Sequence, residues 1–254
     1  MEEIVTLIVS FVIIMGLINL YKTKNSKVKY VQANLYKNDH NQYLCRINEG
    51  IPKNPSDIHD SQAGANALSF IRANLIKLVK EVEKIYNGTY DKDKKIDLKS
   101  IKKDGIVKGE IKMLIERFNP DNISESTPSD KYTSYSVNKG EKIIFCIRRK
   151  KDGPKQQKFE IIDPNTLMFV AIHELAHVMT KSIGHGDDFW NNMRFLLQVA
   201  IKTDSVGDII DKTSNEHYIK HKKIYTYEDY SSNPQDYCGT QITTTPCKND
   251  ECKK

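Results

Sequence analysis

The chain has 254 residues, 39% of them hydrophobic and 28% charged, with a net charge of +6. That balance describes an ordinary folded chain and excludes a disordered or collagen-like one. The lysines between Lys92 and Lys103 alternate with Asp91, Asp93, Asp97 and Asp104, which describes a solvated loop, and no arginine-rich patch with interleaved aromatics marks a nucleic-acid groove.

The first expected element is a membrane anchor, at residues 1–21. Ile4 to Leu20 is uncharged and nearly all apolar, broken only by Thr6, Ser10, Gly16 and Asn19. At ~1.5 Å per residue this run is about 26 Å long, near the lower limit for crossing a bilayer. Met1-Glu2-Glu3 is acidic and no small-x-small cleavage site follows, so a signal peptide is disfavoured. Tyr21 sits where an interfacial aromatic would, and Lys22, Lys24, Lys27 and Lys29 predict a single-pass membrane protein whose domain faces the cytoplasm.

Residues 22–57 read as a polar connector ending in Pro52 and Pro55. Asp60 or Ser61 then caps a long helix whose apolar stripe runs through Leu68, Ile71, Leu75, Leu78, Val79, Val82 and Ile85. A lysine-rich loop follows, then a short helix from Glu110 to Phe118 stopped by Asn119-Pro120. Asn122 to Asp130 reads as loop. Tyr132 to Val137 and Lys142 to Arg148 flank Asn138-Lys139-Gly140 and predict a hairpin.

The next helix carries the chemistry. Asp163 is its expected N-cap and Pro164 its first residue. It contains His173-Glu174-Leu175-Ala176-His177, with His185 eight positions further on. Residues four apart share a helix face, so His173 and His177 can turn imidazole nitrogens toward one zinc ion. Glu174 lies beside that position, where a carboxylate can act as general base. Gly184 and Gly186 let the chain turn and return His185 as third ligand; Asp204, Asp208 and Glu216 are the acidic competitors for that place. A second helix, capped by Asp187 or Asp188, runs through Phe189, Trp190, Met193, Phe195, Leu196, Leu197 and Val199.

The run HELAHVMTKSIGHGDDFWNNM, with the hairpin ahead of it, resembles the WLM and SprT-like metalloproteases. The resemblance implies an α+β, zincin-like metalloprotease domain, mainly helical with a small antiparallel sheet, at residues 58–232. It implies Zn2+ held by His173, His177 and His185, Glu174 as catalytic base, and a protein or peptide substrate. The spacing between His177 and His185 is longer than in the compact WLM pattern. Thr180 and Ile183 stand where a metzincin needs glycine and histidine. Relatives in the resembled group include proteases acting on proteins crosslinked to DNA, so a nucleic-acid partner stays as a less favoured reading.

Residues 233–254 read as a polar tail containing Cys238, Cys247 and Cys252, spaced too widely for a structural zinc site. A Cys238–Cys247 disulfide suits only an oxidising compartment, which the expected topology disfavours. Cys45 and Cys146 read as buried thiols. The sequons at Asn87 and Asn122 hint at the opposite orientation. The sequence thus predicts a membrane-anchored zinc metalloendopeptidase. The alternatives are a non-catalytic membrane or particle protein keeping the fold, and a protease of DNA-crosslinked proteins. Tyr218, Tyr225 and Tyr227 are open candidates for an oxyanion donor.

Overall fold

A computed structural model describes residues 15, 28–47, 56–89, 108–127, 133–151, 158–210, 212, 215–247 and 252. A five-stranded sheet lies in the order β1 (Val28–Gln32), β2 (Gln42–Arg46), β3 (Ile123–Glu125), β5 (Lys142–Phe145), β4 (Tyr135–Val137). β1 and β2 form an antiparallel pair, β2–β3 and β3–β5 are parallel, and β4 returns antiparallel to β5. Parallel neighbours need a long crossover. Between β2 and β3 the chain makes it through α1 (Ser56–Tyr86) and α2 (Lys108–Arg117).

α1 follows its expected stripe, with Leu68, Ile71, Leu75, Leu78, Val79, Val82 and Ile85 all buried, and it starts at Ser56 rather than at Asp60. It packs on β2, on α2, and on α3 (Pro164–Met179) and α4 (Asp187–Lys202). A glycine inside a helix costs about 1 kcal/mol relative to alanine. Gly64 of α1 has a reason: a Cβ there would overlap the guanidinium of Arg148. That guanidinium, buried with its partner, holds Glu125 of β3 at 2.7 Å. The hairpin of β6 (Arg148–Lys151) and β7 (Lys158–Ile161) then feeds α3. After α4 come α5 (Glu216–Ile219) and a last hairpin, β8 (Gln235–Tyr237) and β9 (Thr240–Ile242).

Several expectations are corrected. Among the described residues no helix is long and apolar enough to cross a membrane. α1 has the length, at 31 residues, but exposes Lys80, Glu83 and Lys84. α3 has the apolarity, but its 16 residues are too few. Apart from Met15, the expected anchor at residues 1–21 lies outside the described residues. The expected fold class and localisation, a single-pass membrane protein with an N-terminal transmembrane helix and a cytoplasm-facing domain, are therefore corrected: no described helix supports them. In their place stands a mixed α+β fold built on a five-stranded sheet.

The sheet is also larger than expected and mixed rather than small and antiparallel. The expected connector supplies β1 and β2; the period-two burial of Tyr43 and Cys45 seats β2 on the core. The expected loop after Asn122 supplies β3, whose Ser124 and Glu125 are buried polar residues. The expected tail supplies β8 and β9. Cys146 is not a thiol but is bonded to Cys238, and Cys247 pairs with Cys252, so Cys45 is the free cysteine.

Candidate metal centre and cleft

α3 begins as its sequence dictates. The Asp163 carboxylate accepts hydrogen bonds from the N–H groups of Asn165 and Thr166, at 2.8 and 3.3 Å, and Pro164 occupies the first turn. The helix is buried nearly all round; His173 and His177 are its half-buried exceptions. At its end the Thr180 N–H bonds to Ala176 O, and the Thr180 hydroxyl accepts from Asn192 of α4 at 2.9 Å. Lys139, at the β4–β5 turn, donates to the carbonyls of Thr180 and Ser182. Gly140 in that turn, at φ +110°, lets it close on α3, because a Cβ would meet Val178 and the Arg117 carbonyl at 2.9 Å. The loop is thus held from both sides. Gly184, at φ +91°, then swings it back over the helix.

The result is a cluster of three imidazoles. His185 Nε2 stands 3.1 Å from His173 Nε2 and 3.1 Å from His177 Nε2. One ring nitrogen carries at most one proton, so it cannot donate to both neighbours while accepting from neither. Burial, then the neighbouring histidines, lowers the pKa of His173 to about 3. Burial, then His185 and Lys139, takes His177 to about 4, and burial lowers His185 too. Near neutral pH the rings are uncharged. Zn–N bonds of about 2.05 Å at a tetrahedral angle place ligand nitrogens about 3.3 Å apart. The observed spacing and the neutral donor set both fit a zinc ion. Phe189 forms the floor, its ring centroid 4.9, 4.4 and 4.6 Å from those of His173, His177 and His185.

Glu174 lies beside the cluster, almost wholly buried. Burial pushes its carboxyl up to about 8, against the opposing hydrogen bond from the Ser136 N–H of β4. Its Oε2 has no hydrogen-bond partner. A buried, unpaired carboxylate oxygen is costly, and a cation set beside it would favour the ionised form.

A cleft of about 230 Å³ opens beside His173 and Glu174. Phe169, Val170, Trp190, Met193 and Ile242 give it an apolar wall, and Tyr237 enters from β8. No lysine or arginine is among the described residues that line it. The β8–β9 side of the cleft was not foreseen from the sequence. Its signal is slight: the two-residue turn Cys238-Gly239, with φ +54° and +84°, between two three-residue strands.

None of the acidic competitors, Asp204, Asp208 and Glu216, belongs to the histidine cluster; Asp204 pairs with Lys223 at 2.6 Å and Glu216 with Lys220 at 3.0 Å. Two tyrosines are engaged elsewhere. Tyr218 stacks on Phe70 at 4.9 Å, and the Tyr225 hydroxyl accepts from the Glu228 N–H at 3.2 Å. Tyr227 does not line the cleft.

No family model matches the chain, and no solved structure matches it. The chain is 33% identical over 137 residues to an uncharacterized protein of Acanthamoeba polyphaga mimivirus, covering 52% of this chain and 57% of that protein. It is 46% identical over 68 residues to an uncharacterized protein of Invertebrate iridescent virus 3, covering 27% of this chain and 38% of that one. A third similarity, 37% over 67 residues, is to an uncharacterized protein of Invertebrate iridescent virus 6, covering 26% of this chain and 35% of that one. The chain thus spans little more than half the length of the first of these relatives and about a third of the other two.

Proposed function

We propose that the protein is a zinc-dependent metalloendopeptidase, similar in its active-site run to the WLM and SprT-like enzymes. The observation that carries this reading is the placement of Glu174. Its buried carboxylate keeps one oxygen without a partner, next to three converging neutral imidazoles and at the mouth of a cleft. A core helix that merely tolerated histidines would satisfy or exclude that oxygen.

His173, His177 and His185 would hold the ion. Zinc, when bound, supplies a Lewis acid at the open end of the three-histidine set. The chain's own groups do the rest. Glu174 Oε2 accepts a proton from the attacking water, the water oxygen bonds to the peptide carbonyl carbon, and the C–N bond breaks. Glu174 returns the proton to the departing amine, so water and peptide are the only reactants. β4 is the outer strand of the sheet on this side, and its Ser136 N–H already reaches the base. An extended substrate can pair along such an edge through backbone hydrogen bonds. The apolar wall suits a peptide side chain, and a lining without cations gives no support to a nucleic-acid substrate.

The test is metal content on the full-length protein. One zinc per chain is expected, absent in His173→Ala and strongly reduced in His185→Ala. Full zinc retained by a His173→Ala/His177→Ala double variant would contradict the reading.

A further inference from the structure

Several polar groups in the cleft come from outside the motif helix and its loop, and Tyr237 is the phenol among them. Tyr237, on β8, lines the same cleft as His173 and Glu174 while its ring is buried in the core. Its hydroxyl lies 2.5 Å from Ser134 Oγ. Ser134 Oγ in turn accepts the main-chain N–H of Cys146 at 3.0 Å. A serine hydroxyl has one proton. Cys146 occupies one of its two lone pairs and leaves that proton free for Tyr237 Oη; in that arrangement the phenol proton is available to the cleft. Hydrogen bonds in such a chain polarise one another and strengthen the terminal donor. Burial, with the nearby Glu174 carboxylate adding to it, keeps the phenol protonated.

The same cysteine fixes the other end. Cys146 is bonded to Cys238, the residue after Tyr237. One position between β5 and β6 therefore anchors both the serine that orients the hydroxyl and the hairpin that carries it. The hairpin turns at Cys238, whose φ of +54° is unusual for a residue with a Cβ.

We propose that Tyr237 is a catalytic residue of the peptidase assigned above, its Oη–H donating a hydrogen bond to the scissile carbonyl oxygen as negative charge develops there. The proposal rests on that peptidase reading. No proton leaves the phenol: the water proton still passes through Glu174 to the amine, and Tyr237 contributes only to the charge on oxygen. Ser134 is a positioning residue, acting through Tyr237.

The experiment uses full-length, zinc-loaded protein and unfolded casein as the substrate probe. Peptides taken from the casein cleavage sites then give kcat and KM separately. Tyr237→Phe keeps the ring and should retain zinc and folding, with kcat lowered about 100-fold and KM little changed, as for loss of one oxyanion donor. Ser134→Ala should lower kcat by less, with KM again little changed. Calorimetry gives a second readout: a phosphinic peptide, a tetrahedral mimic, should bind Tyr237→Phe much more weakly than wild type. The uncleaved casein peptide should bind both alike on a Glu174→Gln background. If Glu174→Gln loses cleavage but Tyr237→Phe retains wild-type kcat and phosphinic-peptide affinity, the assignment of Tyr237 fails alone. If Glu174→Gln cleaves as wild type does, the peptidase reading fails and takes this one with it.

Discussion

Glu125 shows how much a single side chain decides in this fold. Its side chain is fully buried, 2.7 Å from Arg148 and within 3.8 Å of Arg46, and it also accepts the Arg46 N–H at 2.8 Å. The group ties β2 and β3 of the five-stranded sheet to β6 of the neighbouring hairpin. A buried charge pair is a weak source of stability when whole, but removing one partner leaves the other's charge desolvated. Glu125→Ala should therefore lower unfolding free energy by about 3–5 kcal/mol, read from urea unfolding followed by circular dichroism. A change within experimental error would show that the pair does not hold the strands together. Glu174 makes the contrast: both carboxylates are buried, yet Glu125 is paired and Glu174 keeps one oxygen free. His173, Glu174 and His177 were legible because their geometry is local, one turn of one helix. Glu125 and Tyr237 were not, because the partners that explain them, Arg148 and Ser134, are 23 and 103 residues away.

Among the elements, the helices announced themselves and most strands did not. α1, α3 and α4 carry long apolar periodicities, and α3 has its cap in Asp163-Pro164. The α4 cap differs in detail: Gly186 takes that position, and Asp187 and Asp188 fall in the first turn, where their charge suits the helix dipole. β3, β8 and β9 have three residues each, too few to show a period, and include Glu125, Asp236 and Gln241. The burial of Glu125 in β3 and of Tyr237 in β8 follows from long-range pairing, which spacing cannot reveal. The β8–β9 hairpin also carries an element-scale prediction. Its disulfide closes a loop with a sequence separation of 92. A disulfide typically stabilises by about 2–4 kcal/mol, and a loop this long lies at or above the upper end of that range. On the proposed reading, a Cys146→Ser/Cys238→Ser variant should lose stability of that order and should lose cleavage of casein, yet keep one zinc, because none of the three clustered histidines is on the hairpin. Unchanged cleavage would show that the tether does not position the cleft wall.

At the scale of the molecule, segments far apart in sequence converge on one sheet and one helix pair. β1 and β2 come from what reads as a connector, and the cleft's far wall comes from what reads as a tail. Mixed topology lets this happen: the α1–α2 crossover returns the chain to the middle of the sheet, and the β4–β5 hairpin ends at the edge above α3. The edge strand β4, Glu174 and the three imidazoles are therefore neighbours. The three-histidine cluster was legible from one helical turn and one glycine-flanked histidine, whereas the cleft was not, because it exists only after the tail folds back. The proposed chemistry turns on Glu174 being a base and not a ligand or a structural carboxylate. The most direct measurement is casein cleavage by full-length, zinc-loaded wild type beside Glu174→Gln. Glu174→Gln should keep one zinc and the wild-type fold but cleave at least ~100-fold more slowly; equal rates for the two proteins would contradict a role as base.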